Sequence, residues 1–177
     1  MPISPNEFSL RAADIRLLLF DVDGVLTDGS VNVDAHGQDL QRFHIRDGAA
    51  LAWAARAGFL TGVLSGRTSP ATSTRASDLG MAVVMLGVAD KRAAFADILA
   101  QQGLAPEEVA YMGDDLIDLP VLRACGLSAA PADAAAEVSA VTHFVSWHPG
   151  GQGAVREFIE AVLKARGQWD DVLARYA

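Results

Sequence analysis

The chain has 177 residues, of which 51% are apolar, and its formal net charge is -8. This length suits one domain with a full hydrophobic core, so we expect residues 1–177 to form a single domain. The acidic balance disfavours nucleic acid and anionic membranes as partners, although a local basic patch can still bind a small anion. Residues 1–14 hold no apolar leader, and no apolar run approaches the roughly 20 residues of a membrane span. We therefore expect a cytoplasmic protein with no membrane partner.

Apolar runs and helical patterns alternate along the chain. The first run, residues 15–20, predicts a buried strand. Each later strand follows a predicted helix: helix 48–57 before strand 59–64, helix 69–79 before strand 81–85, and helix 90–102 before strand 109–112. Beyond them, the patterns predict helices at 116–124, at 134–138 with Asp133 as its cap, and at 154–166, and short strands at 126–129 and 143–146. The alternation predicts an α/β fold with a doubly wound parallel sheet, closed by a C-terminal helix and tail at about 154–177.

Residues 30–45 interrupt this alternation. Val31-Asn32-Val33 and Phe43-His44-Ile45 flank the turn sequence of residues 34–37, which predicts a β-hairpin inserted after the first strand. Residues 65–91 are filled by one helix and one strand, which leaves no room for a cap domain. An isolated two-stranded ribbon is marginal in water and offers free edges. We therefore expect neighbouring subunits to pair through the hairpin in a homo-oligomer.

Carboxylates gather where two predicted strands end. Asp21 and Asp23 follow the first strand, and Asp114 follows the strand at 109–112. The carboxyl ends of parallel strands meet at one edge of a sheet, where such folds place their ligands. Two carboxylates about 4 Å apart repel by about 4 kcal/mol at an effective dielectric of 20, so a cation must lie among them. Oxygen ligands of this kind suit Mg²⁺ with waters and a substrate phosphate.

Two further residues fit a magnesium and phosphate site. Ser65, followed by Gly66, ends the strand at 59–64, where a hydroxyl and backbone N–H groups can approach an anion. Lys91, near the start of a predicted helix, supplies positive charge for phosphoryl transfer. In this interpretation Asp21 attacks phosphorus to form an aspartyl-phosphate. Asp23, the acid/base, would protonate the leaving oxygen and then activate water.

These residues carry a resemblance to the phosphatases of the haloacid dehalogenase superfamily, whose four motifs occur in order. They are residues 21–28, Ser65 in 64–67, Lys91, and residues 113–120. The resemblance implies that Asp21 is the nucleophile and Asp23 the acid/base, with Ser65 and Lys91 also catalytic. It implies that Asp21, the backbone carbonyl of Asp23 and Asp114 hold the magnesium ion, and that Asp115 and Asp118 support them.

The hairpin, residues 43–48 and residues 150–157 are similar to one capless subfamily, the 3-deoxy-D-manno-octulosonate 8-phosphate phosphatases. The likeness covers about residues 15–168. It implies a homotetramer that hydrolyses an eight-carbon acidic sugar phosphate in lipopolysaccharide precursor synthesis. The substrate contacts implied by the resemblance, some of them reaching a neighbour's site, are Asp23, His44, Ile45, Arg46, Asp47, Gly48, Gly66, Arg67, Arg75 and Lys91.

Two other functions stay open at this point. A phosphatase for a nine-carbon sialic-acid-type sugar 9-phosphate would share the hairpin and the capless plan. A non-catalytic oligomerisation module of the same fold could dispense with the nucleophile or the lysine, and this chain retains both Asp21 and Lys91. The sequence departs from the subfamily at two places: some members carry a basic residue at the position of Ala52, and residues 147–149 are also unusual for it.

Overall fold

The computed structural model describes residues 3–37 and 39–177. Within them, the strands in chain order are β1 Leu17–Phe20, β2 Asn32–Val33, β3 Asp39–Leu40, β4 Leu60–Leu64, β5 Val83–Met85, β6 Val109–Met112, β7 Leu127–Ala130 and β8 Phe144–Val145. Six of them form a parallel sheet in the order β5-β4-β1-β6-β7-β8, while β2 and β3 form a separate ribbon. The predicted α/β class with a doubly wound parallel sheet is confirmed.

Helices connect these strands. In chain order they are α1 Pro5–Asp14, α2 Ile45–Arg56, α3 Pro70–Asp78, α4 Lys91–Gln102, α5 Leu119–Leu122, α6 Ala136–Ser139, α7 Ala154–Ala165 and α8 Trp169–Leu173, with 3-10 turns at Pro106–Glu108 and Leu116–Asp118. No helix in the described part of the chain is long and apolar enough to cross a membrane.

The side chains of β1 alternate between two hydrophobic cores. Leu18 and Phe20 pack with residues of α1, α2 and α7, whereas Leu17 and Leu19 pack with residues of α4 and α5. Burying one such side chain contributes about 1.5–3 kcal/mol. A shift of one residue would exchange the two sets between the faces of the sheet. The two cores therefore fix β1 and, with it, the position of Asp21 just beyond its end.

The carboxyl ends of β1, β4 and β6 lie level with one another. Phe20 pairs with Val63 of β4 on one side and with Met112 of β6 on the other. The chain runs from β1 to β4 and β5, and then crosses to β6 on the opposite side of β1. Such a switch point opens a crevice at the carboxyl ends of the strands, where ligands bind in this class of fold.

The predicted hairpin is present, but one of its strands lies elsewhere. Asn32 is opposite Leu40, and Val33 is opposite Asp39. The returning strand predicted at residues 43–45 is therefore wrong. The ribbon is shorter than expected, with two residues in each strand.

The turn explains the early return of the chain. The carbonyl oxygen of Asp34 accepts a hydrogen bond of 3.0 Å from the N–H of Gly37, and its Oδ1 accepts one of 2.8 Å from the N–H of His36. Gly37 has a φ of +78°, which glycine adopts without strain. These contacts close a tight turn, so pairing resumes directly after it.

Helix α2 begins earlier than predicted, at Ile45 instead of Gly48. Asp47 lies in its first turn, where a carboxylate is favoured by the helix dipole. The same carboxylate accepts hydrogen bonds from the backbone N–H groups of Gly153 and Arg156 at 3.3 and 2.8 Å. These contacts, far apart in sequence, hold the first turn helical despite the strand-like pattern of residues 43–45.

Two local features differ from the sequence analysis. Helix α1 was not predicted, although Ser4 caps it by accepting a hydrogen bond from the N–H of Glu7 at 3.3 Å, and Pro5 stands at its first position. The predicted cap at Asp133 is wrong, because α6 has no side-chain cap. The Oδ1 atom of Asp133 instead accepts a hydrogen bond of 2.9 Å from the N–H of Gly150.

Candidate active site

Asp21 stands directly after the central strand and is 4% exposed. Its Oδ1 atom lies 2.9 Å from Lys91 Nζ and accepts a hydrogen bond of 2.7 Å from the N–H of Val22. Among residues 3–37 and 39–177, no hydrogen-bond donor contacts its Oδ2. One oxygen of Asp21 is therefore fixed, and the other is available to a ligand.

Lys91 is held between two carboxylates. It begins α4, whose N-terminus is capped by Asp90 through hydrogen bonds to the N–H groups of the first turn at 2.9 and 3.2 Å. Its Nζ lies 2.6 Å from Asp118 Oδ1, in addition to its contact with Asp21. Burial disfavours the charge, but the carboxylates of Asp21 and Asp118 outweigh it and raise the pKa of Lys91 above its usual value. The lysine is therefore a fixed positive charge.

Asp118 uses both carboxylate oxygens within the protein. Its Oδ1 accepts hydrogen bonds from Lys91 and from the hydroxyl of Tyr111, each at 2.6 Å. Its Oδ2 accepts hydrogen bonds from the N–H groups of Asp114 and Asp115 at 3.0 and 3.2 Å. Burial and the charge of Asp118 raise the pKa of Tyr111 well above its usual value, so the phenol stays a donor. These contacts are consistent with the supporting role of Asp118, which stays a prediction.

Asp21 and Asp114 carry excess negative charge. Burial, followed by the charge of Asp118, raises the pKa of Asp21 to about 7. Burial, followed by the charge of Asp21, raises the pKa of Asp114 to about 8. Oxygen atoms of Asp21, Asp114 and Asp118 all lie within 4.8 Å of one another. Because the oxygens of Asp118 are engaged, Asp21 and Asp114 are the acids left to bind a cation.

This donor set fits Mg²⁺, which takes one or two protein carboxylates and keeps waters in its remaining positions. Gly24 lets Asp114 reach the end of β1, because it has a φ of +84° and a Cβ atom added there would collide with Asp114 Oδ2. The part predicted for the backbone carbonyl of Asp23 stays a prediction.

Asp23, Ser65 and Arg67 meet at the end of β4. Asp23 Oδ1 accepts a hydrogen bond of 3.2 Å from Arg67 Nη1. Arg67 Nη2 donates to Asp39 Oδ2 at 3.0 Å, so the guanidinium bridges Asp23 and the hairpin. The buried Ser65 Oγ accepts a hydrogen bond of 3.2 Å from the N–H of Arg67. The structure thus brings these predicted residues together beside Asp21.

An open cleft of about 260 Å³ lies above these residues. It is lined by Asp21, Asp23, Gly29, Ser65, Gly66, Arg67, Asp114, Asp115 and Ile117. Binding sites for small molecules usually measure roughly 300–1,000 Å³. The cleft in one subunit therefore suits a phosphate and its nearest carbon atoms, and leaves the rest of a large substrate exposed.

The other predicted substrate residues lie outside this cleft in the described part of the chain. His44, Gly48 and Arg75 line a separate small cavity between α2 and α3. A Cβ atom added at Gly48 would collide with the guanidinium of Arg75, so this glycine makes room for the arginine. Ile45 is 76% exposed, and Arg46 lines an open groove between α2 and α7. Their substrate roles stay predictions.

Asp47 contacts the N-terminus of helix α7 and does not line the cleft. It is 1% exposed, and its two oxygens accept the hydrogen bonds from the first turn of α7 described above. His44 Nδ1 lies 3.7 Å from Asp47 Oδ2, beyond hydrogen-bond distance. These contacts give Asp47 a structural place between two helices, and its predicted contact with substrate stays untested.

The sequence analysis missed three residues of this region. Tyr111 is buried in β6 and has the sequence pattern of an ordinary core residue. Its position just before Gly113 and Asp114 could have indicated a role at the site. Asp39 contacts Arg67, and Gln41 Nε2 donates to Asp23 Oδ1 at 3.1 Å. Both follow the hairpin turn in a polar segment that gives no sequence signal of a role.

Comparison with known proteins identifies the family of the chain. The family described as haloacid dehalogenase-like hydrolase matches residues 56–159. The 3-deoxy-D-manno-octulosonate 8-phosphate phosphatase KdsC of Haemophilus influenzae is 44% identical over 159 residues, which cover 89% of this chain and 88% of that protein. The enzyme of the same name from Escherichia coli K12 is 39% identical over 170 residues, 96% of this chain and 90% of that one.

A solved structure is similar over almost the whole chain. It is the 3-deoxy-D-manno-octulosonate 8-phosphate phosphatase from Moraxella catarrhalis, in complex with a magnesium ion, a phosphate ion and a KDO molecule. Its TM-score is 0.95 at 32% identity, covering 97% of this chain and 99% of that one. The chain therefore belongs to the haloacid dehalogenase-like hydrolases and, within them, to the 3-deoxy-D-manno-octulosonate 8-phosphate phosphatase family.

Proposed function

We propose that this chain is a magnesium-dependent phosphatase that hydrolyses 3-deoxy-D-manno-octulosonate 8-phosphate to the free sugar acid and phosphate, in lipopolysaccharide precursor synthesis. The observation that carries the proposal is the buried Asp21 carboxylate, with one oxygen held by Lys91 and the other free beside Asp114. This arrangement supplies a nucleophile next to a cation site, in a chain whose relatives bear that enzyme's name.

The first half of the reaction uses the fixed geometry of Asp21. The contacts of its Oδ1 with Lys91 and the N–H of Val22 hold the side chain in place, and a carboxylate oxygen of Asp21 attacks phosphorus. The new Asp21 O–P bond forms while the bond from phosphorus to the sugar oxygen breaks. Asp23 gives a proton to the departing oxygen, and Lys91 holds positive charge beside the transferring group.

The second half returns the enzyme to its starting state. Asp23, now ionised, takes a proton from water, and the water oxygen attacks phosphorus. The Asp21 O–P bond breaks, inorganic phosphate leaves, and the carboxylate of Asp21 is restored. The proton that Asp23 lost in the first half is regained in the second, so the cycle balances.

Asp21, Asp114 and the backbone carbonyl of Asp23 are the groups that would hold Mg²⁺. The bound ion supplies positive charge that offsets the phosphate oxygens and the two acids. Support comes from the raised pKa values of Asp21 and Asp114, because a site with unbalanced carboxylates gains most from a cation.

Magnesium should stabilise the protein more at pH 8 than at pH 5.5. The folded pKa values of Asp21 and Asp114 are about 7 and 8, against an ordinary value of 3.8, so the folded metal-free protein binds more protons than the unfolded chain across this window. Stability without metal therefore falls as pH rises. At 100 times Kd, a ligand adds about 2.7 kcal/mol, which raises the unfolding temperature by roughly 5–10 °C in a protein of this size.

Thermal unfolding with EDTA and with Mg²⁺ at both pH values checks this expectation. Asp97→Asn, at an exposed acid on α4, should respond to Mg²⁺ as the wild type does. Asp114→Asn should lose most of the response. A stabilisation by Mg²⁺ that is equal at the two pH values, or that survives Asp114→Asn, would contradict the assigned site.

We also propose that the chain assembles into a homotetramer through the hairpin. Val31, Val33 and Leu40 are 59%, 61% and 58% exposed on a ribbon that pairs only two residues in each strand. Such a ribbon is marginal alone, and exposed apolar side chains favour an interface. A neighbouring subunit would also cover the open cleft and place distant basic residues, Arg46 and Arg75 among them, near the acid end of a sugar.

Replacing both Val33 and Leu40 by lysine should produce smaller assemblies. The added charges would face the interface without a partner, which disfavours burial. Light scattering measures the mass of the assembly. Leu10→Lys, at a side chain 73% exposed on α1, is the matched control and should leave the mass unchanged. An intact tetramer in the doubly substituted protein would refute the role of the hairpin.

Phosphate release from 3-deoxy-D-manno-octulosonate 8-phosphate tests the proposed activity directly. We expect turnover with Mg²⁺, none with EDTA, and recovery when Mg²⁺ is returned. Turnover that is indifferent to EDTA would overturn the metal assignment, and no turnover of this sugar would overturn the substrate. We also propose, as expected from the sequence, that residues 1–177 form a single domain and that the protein is cytoplasmic.

A further inference from the structure

Gln41 connects the hairpin to the acid/base residue. It lies directly after β3, and its Nε2 donates a hydrogen bond of 3.1 Å to Asp23 Oδ1. Its Oε1 accepts hydrogen bonds from the hydroxyls of Ser69 at 2.9 Å and Thr72 at 2.5 Å. Ser69 and Thr72 are each 3% exposed at the N-terminus of α3. The amide of Gln41 is thus held at one end by two buried hydroxyls at the start of α3 and contacts Asp23 with the other.

The contact distinguishes the two oxygens of Asp23. Oδ1 accepts hydrogen bonds from Gln41 at 3.1 Å and from Arg67 at 3.2 Å. Oδ2 meets no hydrogen-bond donor within residues 3–37 and 39–177. A carboxylic acid that accepts at one oxygen and is free at the other presents its proton in one direction.

Gln41 and Arg67 differ in how firmly they can hold Asp23. The guanidinium of Arg67 is partly exposed and shared with Asp39, and a substrate phosphate can attract it. The amide of Gln41 is neutral and is hydrogen-bonded at both its nitrogen and its oxygen, so an anion competes for it less. Of the two partners of Asp23 Oδ1, Gln41 is therefore the one expected to keep its contact when a substrate engages Arg67.

We propose that Gln41 is a positioning residue that orients Asp23 so that its Oδ2 delivers the proton to the leaving oxygen of the substrate. The inference rests on the proposed function, because it takes Asp23 as the general acid. In the step concerned, the Asp21 O–P bond forms, the bond from phosphorus to the leaving oxygen breaks, and the proton passes from Asp23 Oδ2 to that oxygen. Gln41 keeps its own protons throughout.

A comparison of leaving groups separates this role from a general structural one. The alkoxide of a sugar needs a proton as it departs, whereas p-nitrophenolate leaves as a stable anion. The value of kcat/KM for each substrate reports the steps up to departure of the leaving group. Poor orientation of the acid should therefore lower kcat/KM for the sugar phosphate and leave kcat/KM for p-nitrophenyl phosphate almost unchanged.

Two substitutions test Gln41. Gln41→Ala removes the whole contact, and Gln41→Glu keeps the shape and the acceptors for Ser69 and Thr72 while replacing the donor to Asp23 by a carboxylate oxygen that repels it. We expect each to lower kcat/KM for 3-deoxy-D-manno-octulosonate 8-phosphate by about 10- to 100-fold, part of the roughly 10²- to 10⁴-fold that a general acid contributes. The loss on p-nitrophenyl phosphate should stay under about threefold. Gln101→Ala, at an exposed site on α4, is the control and should change neither value.

Asp23→Asn supplies the benchmark. It should show the same preference for p-nitrophenyl phosphate, with a larger loss on the sugar phosphate. Because Gln41 acts only through Asp23, adding Gln41→Ala to Asp23→Asn should cause no further loss, a deviation from additivity that a double-mutant cycle measures.

Equal losses on the two substrates, or full additivity in the cycle, would overturn the positioning role and leave Gln41 as a structural residue of the hairpin. Unchanged activity in both variants would overturn it as well. These results are distinct from failure of the proposed function, which would appear in the wild type as absence of turnover of the eight-carbon sugar phosphate.

Discussion

Asp21→Asn should abolish turnover while the protein stays folded. The amide oxygen of asparagine is a far weaker nucleophile than a carboxylate, so no covalent intermediate forms. We expect phosphate release to fall below detection, a loss of at least about 10⁴-fold, in an assay at saturating Mg²⁺ and substrate. Asp97→Asn, which makes the same change at an exposed position, should retain full activity.

The stability of Asp21→Asn distinguishes loss of chemistry from loss of structure. Burial and the charge of Asp118 raise the pKa of Asp21 to about 7, so the ionised carboxylate opposes folding at pH 8 without metal. The neutral amide removes this repulsion, and Lys91 keeps its contact with Asp118. In EDTA at pH 8 we expect an unfolding temperature at least equal to that of the wild type. Substantial residual turnover in this folded variant would remove Asp21 from the nucleophile role.

Lys91→Met should lower both the rate and the stability. The lysine is 4% exposed and is the shared partner of Asp21 and Asp118. Losing one partner of a buried ion pair typically costs about 3–5 kcal/mol, because the remaining charge is left uncompensated. Loss of a charge that stabilises the transition state should lower kcat by at least about 10²-fold. Methionine keeps most of the side-chain volume, so the measured loss of stability would not come from a cavity.

A second substitution separates the two effects of Lys91. Adding Asp118→Asn to Lys91→Met removes one of the uncompensated charges, so the double variant should recover part of the lost stability. Activity should not recover, because no positive charge returns to the site. Kinetics together with thermal unfolding make the comparison. A normal rate in Lys91→Met, or recovery of activity in step with stability, would show that the lysine only balances buried charge.

The parallel sheet and the position of the acids could be predicted because they depend on local patterns. The apolar runs before Asp21 and Gly113 end at the sheet edge, and Phe20 and Met112 pair side by side. Parallel strands read from hydrophobic runs place their ends together by the general rules of this class of fold. Asp21, Asp23, Ser65, Arg67 and Asp114 could therefore be expected at one edge.

Contacts between distant parts of the chain were beyond such reasoning. Gln41 reaches Asp23 only because the hairpin turns at residues 34–37 and returns its polar end to α3. Residues 43–45 have a strand-like composition, and the contacts of Asp47 with α7 decide that helix α2 begins there. Tyr111 looks like a core residue until its hydroxyl is seen to contact Asp118.

Recognition of the sugar depends least on local sequence patterns. In the part of the chain that the structure describes, Arg46 and Arg75 do not line the cleft that contains Asp21 in their own subunit. No sequence pattern shows how a second subunit would bring its basic side chains to this cleft. The proposed tetramer links the hairpin, the open cleft and these arginines in one explanation.

The most direct test of the account is Mg²⁺-dependent phosphate release from 3-deoxy-D-manno-octulosonate 8-phosphate, measured beside a sialic-acid-type sugar 9-phosphate, with Asp21→Asn as the blank. We predict a strong preference in kcat/KM for the eight-carbon sugar. Preference for the nine-carbon sugar would contradict the assigned substrate while keeping the chemistry. Failure on both sugars would contradict the enzymatic function and favour a non-catalytic oligomerisation module.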